Sequence, residues 1–503
     1  MIRTGGSFPL KQKIKQLLCL LLACQLFTGT AWARPDWPAD TGIQAEAGIV
    51  MDADSGAILF GQNIHVPYPP ASITKILTAL IVLEHAQPDE MVTFTENACN
   101  SVESDSGNKL GVVPGDTLTV EDCLYGLLLV SANQAANALA EHVAGSIPAF
   151  VDMMNDKLAE LGCTESHFDN PSGLNGDTQY VTAYDMALIA RAAYQNETLL
   201  EISSVRTHKL APTINYPGGL TVSQEHRLLK EGDDFYYSPA KAGKTGYLQA
   251  AGNTLVTYAE KDGRKLISVV LKGQPRQYFT DSTELLSFGF RNFQNAVIAD
   301  YESRYVTGDE IINLDRGSFR ASDLMVDPES VITLPLGSTF SDAELSLDPL
   351  PENHPDRAVA LFTYTYNDRV IGTAYLMAKD GVLIGDEEPE TVPEETEVSE
   401  TEEATPSNLS GSSKGGLTPA ALGIIMKGVG IVLVLGLIAA AAAWIVYRRR
   451  KEAEALARRR EARRKRLIQS GEEEEFERLL AEWKARDAAS GRKKSHSDRK
   501  DRS

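Results

Sequence analysis

The amino-acid sequence predicts an α+β fold, a sheet packed against a cluster of helices, followed by a small β-rich domain, an acidic linker and one transmembrane helix. Strand-like runs stand at both ends of a group of helical segments within residues 34–296. Short runs of alternating apolar and polar residues follow over residues 297–384. Farther on, residues 429–446 carry no charge and lie inside a predicted spanning helix at 424–447.

The charge of the 503-residue chain is unevenly distributed. The chain has 49 Lys and Arg against 69 Asp and Glu, which argues against nucleic-acid binding by the protein as a whole. The tail at residues 448–503 nevertheless holds 20 basic and 12 acidic residues. Such asymmetry predicts that the two parts occupy different compartments. For the tail, a solvated flank of the spanning helix and a helix lying on anionic lipid both remain open.

Residues 1–33 are predicted to be a secretory signal peptide. A basic start precedes an apolar run at residues 17–27 that is too short to span a bilayer, and small residues at 31 and 33 suit a cleavage site. We expect cleavage after Ala33, and an uncleaved N-terminal anchor is the alternative. The odd number and unrelated spacing of the remaining cysteines predict buried free thiols rather than disulfides or a metal site. These are Cys99, Cys123 and Cys163.

Along the α+β region, segments with the period of a β-strand alternate with segments that have the period of an α-helix. Residues 47–62 read as strand, turn and strand around Asp54-Ser55-Gly56. Residues 254–259 and 265–271 read as a hairpin around Lys261-Asp262-Gly263. Residues 89–120 are mostly polar and are predicted to form loops. Helical spacing marks the segments 123–130, 135–143, 150–161 and 183–194.

Residues 71–80 carry the first functional signal. Two prolines stop the preceding chain, and the apolar residues that follow have helical spacing. Ser72 therefore stands at a predicted helix start, with Lys75 one turn along on the same face. A serine needs a base to take its proton, and a lysine serves as that base where a buried apolar face lowers its pKa. The pair by itself is also typical of a serine N-cap beside a solvated lysine.

Two further short motifs favour catalysis. Ser131-Ala132-Asn133 lies between two helical segments, and Lys244-Thr245-Gly246 lies before two strand-like runs. Ser-x-x-Lys, Ser-x-Asn and Lys-Thr-Gly in this order form the signature set of penicillin-binding proteins and serine β-lactamases. Residues 43–293 resemble the serine-type D-alanyl-D-alanine carboxypeptidases, the low-molecular-mass penicillin-binding proteins, and this implies a β-lactamase/transpeptidase-like catalytic domain. The resemblance extends to Asn170-Pro171-Ser172-Gly173-Leu174, Tyr184-Asp185-Met186-Ala187 and Lys241-Ala242-Gly243-Lys244-Thr245-Gly246-Tyr247.

The resemblance implies an acyl-enzyme mechanism. Ser72 would attack the carbonyl between two D-alanines with Lys75 as base, and Ser131 would relay a proton to the leaving amine. The implied substrate-binding residues are Asn133 for the peptide amide, Lys244 and Thr245 for the terminal carboxylate, and Gly246 and Tyr247 on the strand beside the site. The backbone N–H groups of Ser72 and Tyr247 would form the oxyanion hole. No cofactor or metal is implied. The partners would be peptidoglycan stem peptides ending in D-Ala-D-Ala, with β-lactams as acylating inhibitors.

Two alternatives remain open. A class A β-lactamase shares the motif set but uses a glutamate to activate the deacylating water. The string nearest to that glutamate loop, residues 171–175, has proline in its place. A non-catalytic wall-binding protein on the same scaffold would have no need of five intact site side chains. The sequence therefore favours the carboxypeptidase.

The segments that follow the catalytic domain connect it to the predicted spanning helix. Residues 297–384 resemble the C-terminal β-rich domain of the same family and carry no catalytic constellation; a spacer and a protein-contact domain are both open. Residues 385–420 are acidic and poor in apolar side chains, which predicts a disordered linker, with an acidic docking segment as the alternative.

Orientation follows from the residues beside the spanning helix. Arg448-Arg449-Arg450 follows it directly, so the positive-inside rule puts the tail at 448–503 in the cytoplasm. We expect a single-pass protein of the bacterial cell membrane that contacts lipid through this helix, with its catalytic domain extracytoplasmic.

Overall fold

The first domain is built on a five-stranded antiparallel sheet. The computed structural model describes residues 34–39, 42–102, 106–351 and 353–384. The strands of this domain are β1 (Ala47–Asp52), β2 (Ile58–Gln62), β3 (Met91–Thr93), β4 (Thr117–Thr119), β5 (Thr207–Lys209), β6 (Thr221–Ser223), β7 (Ala240–Leu248), β8 (Gly252–Lys261) and β9 (Arg264–Gly273). The main sheet has the order β2-β1-β9-β8-β7, whereas β3 pairs with β4 and β5 pairs with β6. β7 is therefore an edge strand of the main sheet.

The predicted helical segments form helices, and residues 96–100, 197–204 and 277–292 form helices that the sequence pattern does not predict. In chain order, the helices of the described residues are α1 (Lys75–His85), α2 (Glu96–Asn100), α3 (Val120–Leu129), α4 (Asn133–Ala144), α5 (Ile147–Glu160), α6 (Ala183–Ala193), α7 (Glu197–Ser204) and α8 (Gln277–Asn292). Side-chain caps start several of them, as where the hydroxyls of Thr119 and Thr182 accept a hydrogen bond from the third residue of α3 and of α6. The segment at 89–120, predicted as loops, contains β3, α2 and β4, which are too short to show a periodicity.

The sheet lies between two apolar layers. On one face, helices including α1, α3, α4 and α6 pack together and against the buried side chains of β1 and β9 in one large core. On the other face, α8 covers a second, smaller core. β1 is buried along its whole length because both of its faces are covered. Cys123 and Cys163 are buried, Cys99 is half-buried, and all three are free thiols.

A small β-rich domain follows, as predicted. Its strands are β10 (Phe293–Val297), β11 (Ile311–Leu314), β12 (Gly317–Arg320), β13 (Leu324–Val326), β14 (Val331–Pro335), β15 (Glu344–Asp348), β16 (Ala358–Tyr366) and β17 (Arg369–Ala378). Four of them form a sheet of order β13-β17-β16-β15 over a core of their own. Asn367 and Asp368 both have positive φ between β16 and β17, which is the turn that the hairpin pattern predicts.

Asp52 sits in a polar network that joins the two domains. Its carboxylate is fully buried and accepts hydrogen bonds from Ser55 and Asn295, and from Arg264 at 3.2 Å. Ser55 in turn contacts Thr333 of β14 at 2.7 Å between hydroxyl oxygens. The end of β1 is therefore bonded to the start of the β-rich domain.

Asp52→Ala is expected to lower the free energy of unfolding by about 3 kcal/mol, because it leaves the Arg264 guanidinium and several buried donors without their acceptor. Chemical denaturation of the variant measures the loss. Glu260→Ala, at an exposed position of β8, is the control and should change the stability by less than about 0.5 kcal/mol. A loss below about 1 kcal/mol for Asp52→Ala would show that the network contributes little.

Several predictions concern residues that the structure does not describe. The signal peptide at 1–33, the linker at 385–420, the spanning helix at 424–447 and the tail at 448–503 all lie outside the described residues and stay predictions. Among the helices that are described, none has the length and apolar character needed to cross a bilayer.

Candidate active site

Ser72 lies on a 3-10 turn, Ala71–Thr74, that runs directly into α1. The sequence predicts the helix start at Ser72, whereas α1 begins at Lys75. Thr74 closes the turn by donating its hydroxyl to the Ala71 carbonyl oxygen at 2.9 Å. Because residues three apart in a 3-10 turn lie above one another, the Ser72 and Lys75 side chains still meet, as the spacing predicts.

Lys75 is fully buried and makes three hydrogen bonds to neutral oxygens. Its Nζ lies 3.1 Å from Ser72 Oγ and 2.8 Å from Asn133 Oδ1, and it also donates to the Ser172 carbonyl oxygen. Burial lowers the pKa of Lys75 well below its ordinary value of 10.5, and the nearby charge of Lys244 lowers it further, whereas the Glu225 carboxylate acts in the opposite direction. A neutral amine at this distance is chemically able to accept the proton of a serine hydroxyl.

The second motif lies at the junction of α3 and α4. Ser131 has φ +62°, and this left-handed conformation turns the chain between the two helices. Asn133, the first residue of α4, is buried and contacts Lys75, and both Ser131 and Asn133 line the same cleft as Ser72. The structure therefore brings the first two motifs together.

The third motif lies on the edge strand β7. Thr245, Gly246 and Tyr247 line the cleft, and the Tyr247 side chain is largely exposed. The Lys244 side chain is different, since it is 1% exposed and donates to the Thr245 carbonyl oxygen at 2.8 Å. Burial lowers the pKa of Lys244 to about 8, with the charge of Lys109 also lowering it and that of Glu225 raising it. Lys244 thus contributes positive charge from beneath the cleft wall.

Gly246 lets β7 approach Ser72 closely. A Cβ at this position would lie 2.8 Å from the Ser72 backbone nitrogen and 2.4 Å from Thr254 Oγ1, both too close for any other residue. Thr254 of β8 donates to the Pro70 carbonyl oxygen at 2.9 Å and so fixes the start of the turn on the sheet. The backbone N–H of Ser72 consequently faces the strand that carries Lys-Thr-Gly.

The loop at residues 170–174 supplies part of the site that motif reasoning did not assign. Its Ser172 carbonyl accepts from Lys75, and its Pro171 carbonyl accepts from Thr78 of α1 at 2.7 Å. Gly173 has φ +79°, and a Cβ there would lie 1.9 Å from the Ala71 carbonyl oxygen. This loop therefore packs directly on the Ser72 turn, and only the resemblance singled it out.

Gly173→Ala is expected to lower the free energy of unfolding by at least about 2 kcal/mol, through the positive φ and the contact with Ala71. It should also slow the acylation of Ser72 that the resemblance implies, because the displaced loop no longer holds Lys75. Denaturation and the acylation rate are the measurements. Gly162→Ala is a matched control, since Gly162 has φ +72° and nothing within 4 Å of a Cβ. Equal effects of the two substitutions would show that backbone strain alone, and not the contact, matters.

All three motifs border one open cleft of about 990 Å³. The residues that line it are Ser72, Ser106, Lys109, Ser131, Asn133, Gly173, Leu174, Asn175, Glu225, Thr245, Gly246, Tyr247, Leu248, Gln249, Ala250 and Tyr278. Within the described residues, no three His, Cys, Asp or Glu side chains are grouped as metal ligands would be. The arrangement offers a hydroxyl, a buried amine beside it, and an open strand edge along which a peptide fits.

Comparison with known proteins places this geometry in a family. The family model described as D-alanyl-D-alanine carboxypeptidase matches residues 34–275. The D-alanyl-D-alanine carboxypeptidase DacB2 of Mycobacterium tuberculosis is 36% identical over 270 residues, which cover 51% of this chain and 84% of the relative. The chain belongs to the D-alanyl-D-alanine carboxypeptidase family. The predicted enzyme class, a serine-type carboxypeptidase of peptidoglycan, is confirmed by this membership.

Two solved structures extend the likeness into the β-rich domain. Penicillin-binding protein 5 from Haemophilus influenzae matches with a TM-score of 0.53 and 25% identity, covering 68% of this chain and 98% of that one. The D-alanyl-D-alanine carboxypeptidase DacD from Francisella tularensis matches with a TM-score of 0.51 and 26% identity, covering 70% and 97%. The predicted transpeptidase-like domain with a β-rich domain behind it is thereby confirmed.

Proposed function

We propose that this carboxypeptidase removes the terminal D-alanine of stem peptides through an acyl-enzyme on Ser72, with Lys75 as the general base. The observation that carries the proposal is the position of Lys75 Nζ, 3.1 Å from Ser72 Oγ in a fully buried pocket. Its three oxygen partners are all neutral, so within the described residues no carboxylate contact holds the amine in its charged form, and an unprotonated amine can donate to Asn133 and Ser172 while it accepts from the Ser72 hydroxyl. An unprotonated lysine beside a serine is an activated nucleophile pair.

The proposed reaction has two halves. Ser72 Oγ attacks the carbonyl carbon between the two D-alanines, and its proton passes to Lys75 Nζ. The backbone N–H groups of Ser72 and Tyr247 stabilise the negative oxygen, and the close approach of β7 to Ser72 supports this pairing. Ser131 passes a proton from Lys75 to the leaving amine, which breaks the C–N bond and releases D-alanine. Water then attacks the ester carbonyl carbon and gives one proton to Lys75, which passes it to Ser72 Oγ as the C–O bond of the ester breaks and the shortened peptide leaves with a free carboxyl end.

The remaining predicted site residues hold the substrate. Asn133 lies in the cleft wall and is proposed to bind the peptide amide, while Thr245 presents its hydroxyl to the terminal carboxylate. Lys244 acts on that carboxylate through its charge. β-Lactams, which imitate the D-Ala-D-Ala end, acylate Ser72 in this scheme.

We also propose that the enzyme works outside the cell membrane, anchored by one helix at 424–447. The support is the sequence alone: a signal peptide, an apolar run and the arginines that follow it. Proteolysis of intact spheroplasts tests the orientation. The catalytic domain should be digested and a tag behind residue 503 protected, and the reverse pattern would contradict the proposal.

The activity is tested with the full chain in detergent. An N-acetylated peptide ending in D-Ala-D-Ala is expected to release D-alanine, and benzylpenicillin is expected to leave one lasting adduct per molecule. Rapid hydrolysis of the drug without a lasting adduct would instead indicate a β-lactamase. A folded sample that neither releases D-alanine nor binds the drug would contradict the proposal.

A further inference from the structure

One ion pair lies in the wall of the cleft. Lys109 Nζ lies 3.0 Å from Glu225 Oε1, with the two side chains 49% and 38% exposed. Both residues line the cleft, and among the described residues that do so they are the one cation and the one anion. The reaction scheme proposed above assigns neither of them a role.

The path of the chain shows that the ion pair lies on the side of the cleft that carries Ser131. The backbone N–H of Glu225 donates to the Leu129 carbonyl oxygen at 3.0 Å, so Glu225 is tied to the segment that leads into Ser131. The Glu225 carboxylate also raises the pKa of both Lys75 and Lys244 through its negative charge. In the proposed reaction, Ser131 delivers the proton to the leaving amine. On that scheme, we expect the departing D-alanine on this side of the cleft, which is the side of the ion pair.

A carboxylate on this side of the cleft needs a cation that solvent and substrate reach. Lys244 is 1% exposed and its ammonium donates to Thr245, so its charge acts only through the wall of the cleft. Lys109 is half-exposed, and an ammonium has three N–H donors, of which Glu225 occupies one. Without Lys109, the Glu225 carboxylate would repel the substrate's carboxylate.

Two hydrogen bonds from asparagine side chains fix the backbone around Lys109. Asn108 donates its side-chain amide to the Val112 carbonyl oxygen, and Asn215 donates to the Gly111 carbonyl oxygen, each at 2.7 Å. Gly111 has φ +59° and packs under Tyr216. The Lys109 side chain therefore extends from a fixed turn rather than from a free loop end.

We propose that Lys109 binds the terminal carboxylate of the leaving D-alanine and that Glu225 positions its ammonium. The proposal rests on the proposed acyl-enzyme reaction at Ser72 and adds, to Thr245 and Lys244, an ammonium group that contacts the free carboxyl terminus directly. Lys109 contacts the substrate, and Glu225 acts through Lys109 as a positioning residue.

The test compares two peptides on the full chain, one ending in D-Ala-D-Ala and one with the same end as a C-terminal amide. Lys109→Gln is expected to lower the ratio of kcat/KM for acid over amide by roughly 10- to 100-fold, the value of one hydrogen bond to a charged group. Lys109→Arg keeps the charge and should retain most of the ratio. Lys261→Gln, at the exposed end of β8, is the matched control and should leave the ratio unchanged.

The Glu225→Gln variant tests whether Glu225 positions the Lys109 ammonium or only supports the local structure. It should lower the acid/amide ratio less than Lys109→Gln does. It should also move the acid limb of kcat/KM to lower pH, because the anion that raises the pKa of Lys75 is gone.

An acid/amide ratio within twofold of the wild type for Lys109→Gln would overturn the inference. If that variant still forms the penicillin adduct, the reaction at Ser72 stands without it. If the wild-type chain forms no adduct and releases no D-alanine, the proposed function fails and the inference fails with it.

Discussion

Ser72→Ala is expected to lower kcat for D-alanine release by about 10⁶-fold, which is the size of loss seen when a serine hydrolase loses its nucleophile. Among the described residues, the other hydrogen-bond partners of Lys75 Nζ are the Asn133 amide and the Ser172 carbonyl, and neither is a nucleophile that could replace the Ser72 hydroxyl. The substitution removes one hydrogen bond and adds no atom, so the fold should persist. The measurements are D-alanine release and the mass of the protein after penicillin.

Ser318→Ala serves as the control for Ser72→Ala. Ser318 lies at an exposed position of β12 in the β-rich domain and should be replaceable without effect on release or on the drug adduct. Residual release above about one part in a thousand for a folded Ser72→Ala protein would mean that another group attacks the carbonyl.

Lys75→Met is expected to lower kcat by about 10³- to 10⁴-fold, the contribution of a general base that also returns the proton. Methionine nearly fills the buried space but accepts no proton. Lys75→Arg should be equally inactive, because a guanidinium stays protonated at every working pH. The wild-type kcat/KM should rise with pH as Lys75 loses its proton, and this limb should lie well below 10.5 because burial lowers the pKa of Lys75.

Steady-state release across the pH range measures these effects, with Lys209→Met as the control at an exposed position of β5. Activity in Lys75→Arg above about a tenth of the wild type would contradict the role of Lys75 as a base, and would indicate that only its positive charge is needed.

Local pattern was enough to predict most of the elements around the site. Helical spacing after Pro69 and Pro70, and alternation on both sides of Lys261-Asp262-Gly263, each depend on neighbours in the chain. The sequence predicts a helix start at Ser72, although α1 begins at Lys75, because nothing in the sequence separates a 3-10 turn from the first turn of an α-helix. The pairs β3–β4 and β5–β6 have three residues per strand, too few for a period.

Contacts between distant parts of the chain could not be predicted in the same way. The Ser172 carbonyl meets Lys75 across 97 positions, and Lys109 meets Glu225 across 116. Such pairs depend on how the helices pack on the sheet, and a short stretch of sequence carries no information about that packing. The order of three motifs indicated that Ser72, Ser131 and Lys244 belong together, but it gave no sign that Lys244 lies beneath the cleft wall.

The location of the penicillin adduct tests the central claim most directly. After brief exposure of the full chain to benzylpenicillin, digestion with trypsin and fragmentation of the peptides should place one drug molecule on Ser72, in the peptide that ends at Lys75. Ser72→Ala should carry none. An adduct on Ser131 or on any other residue, or turnover of the drug with no lasting adduct, would contradict the assignment of Ser72 as the nucleophile of a carboxypeptidase.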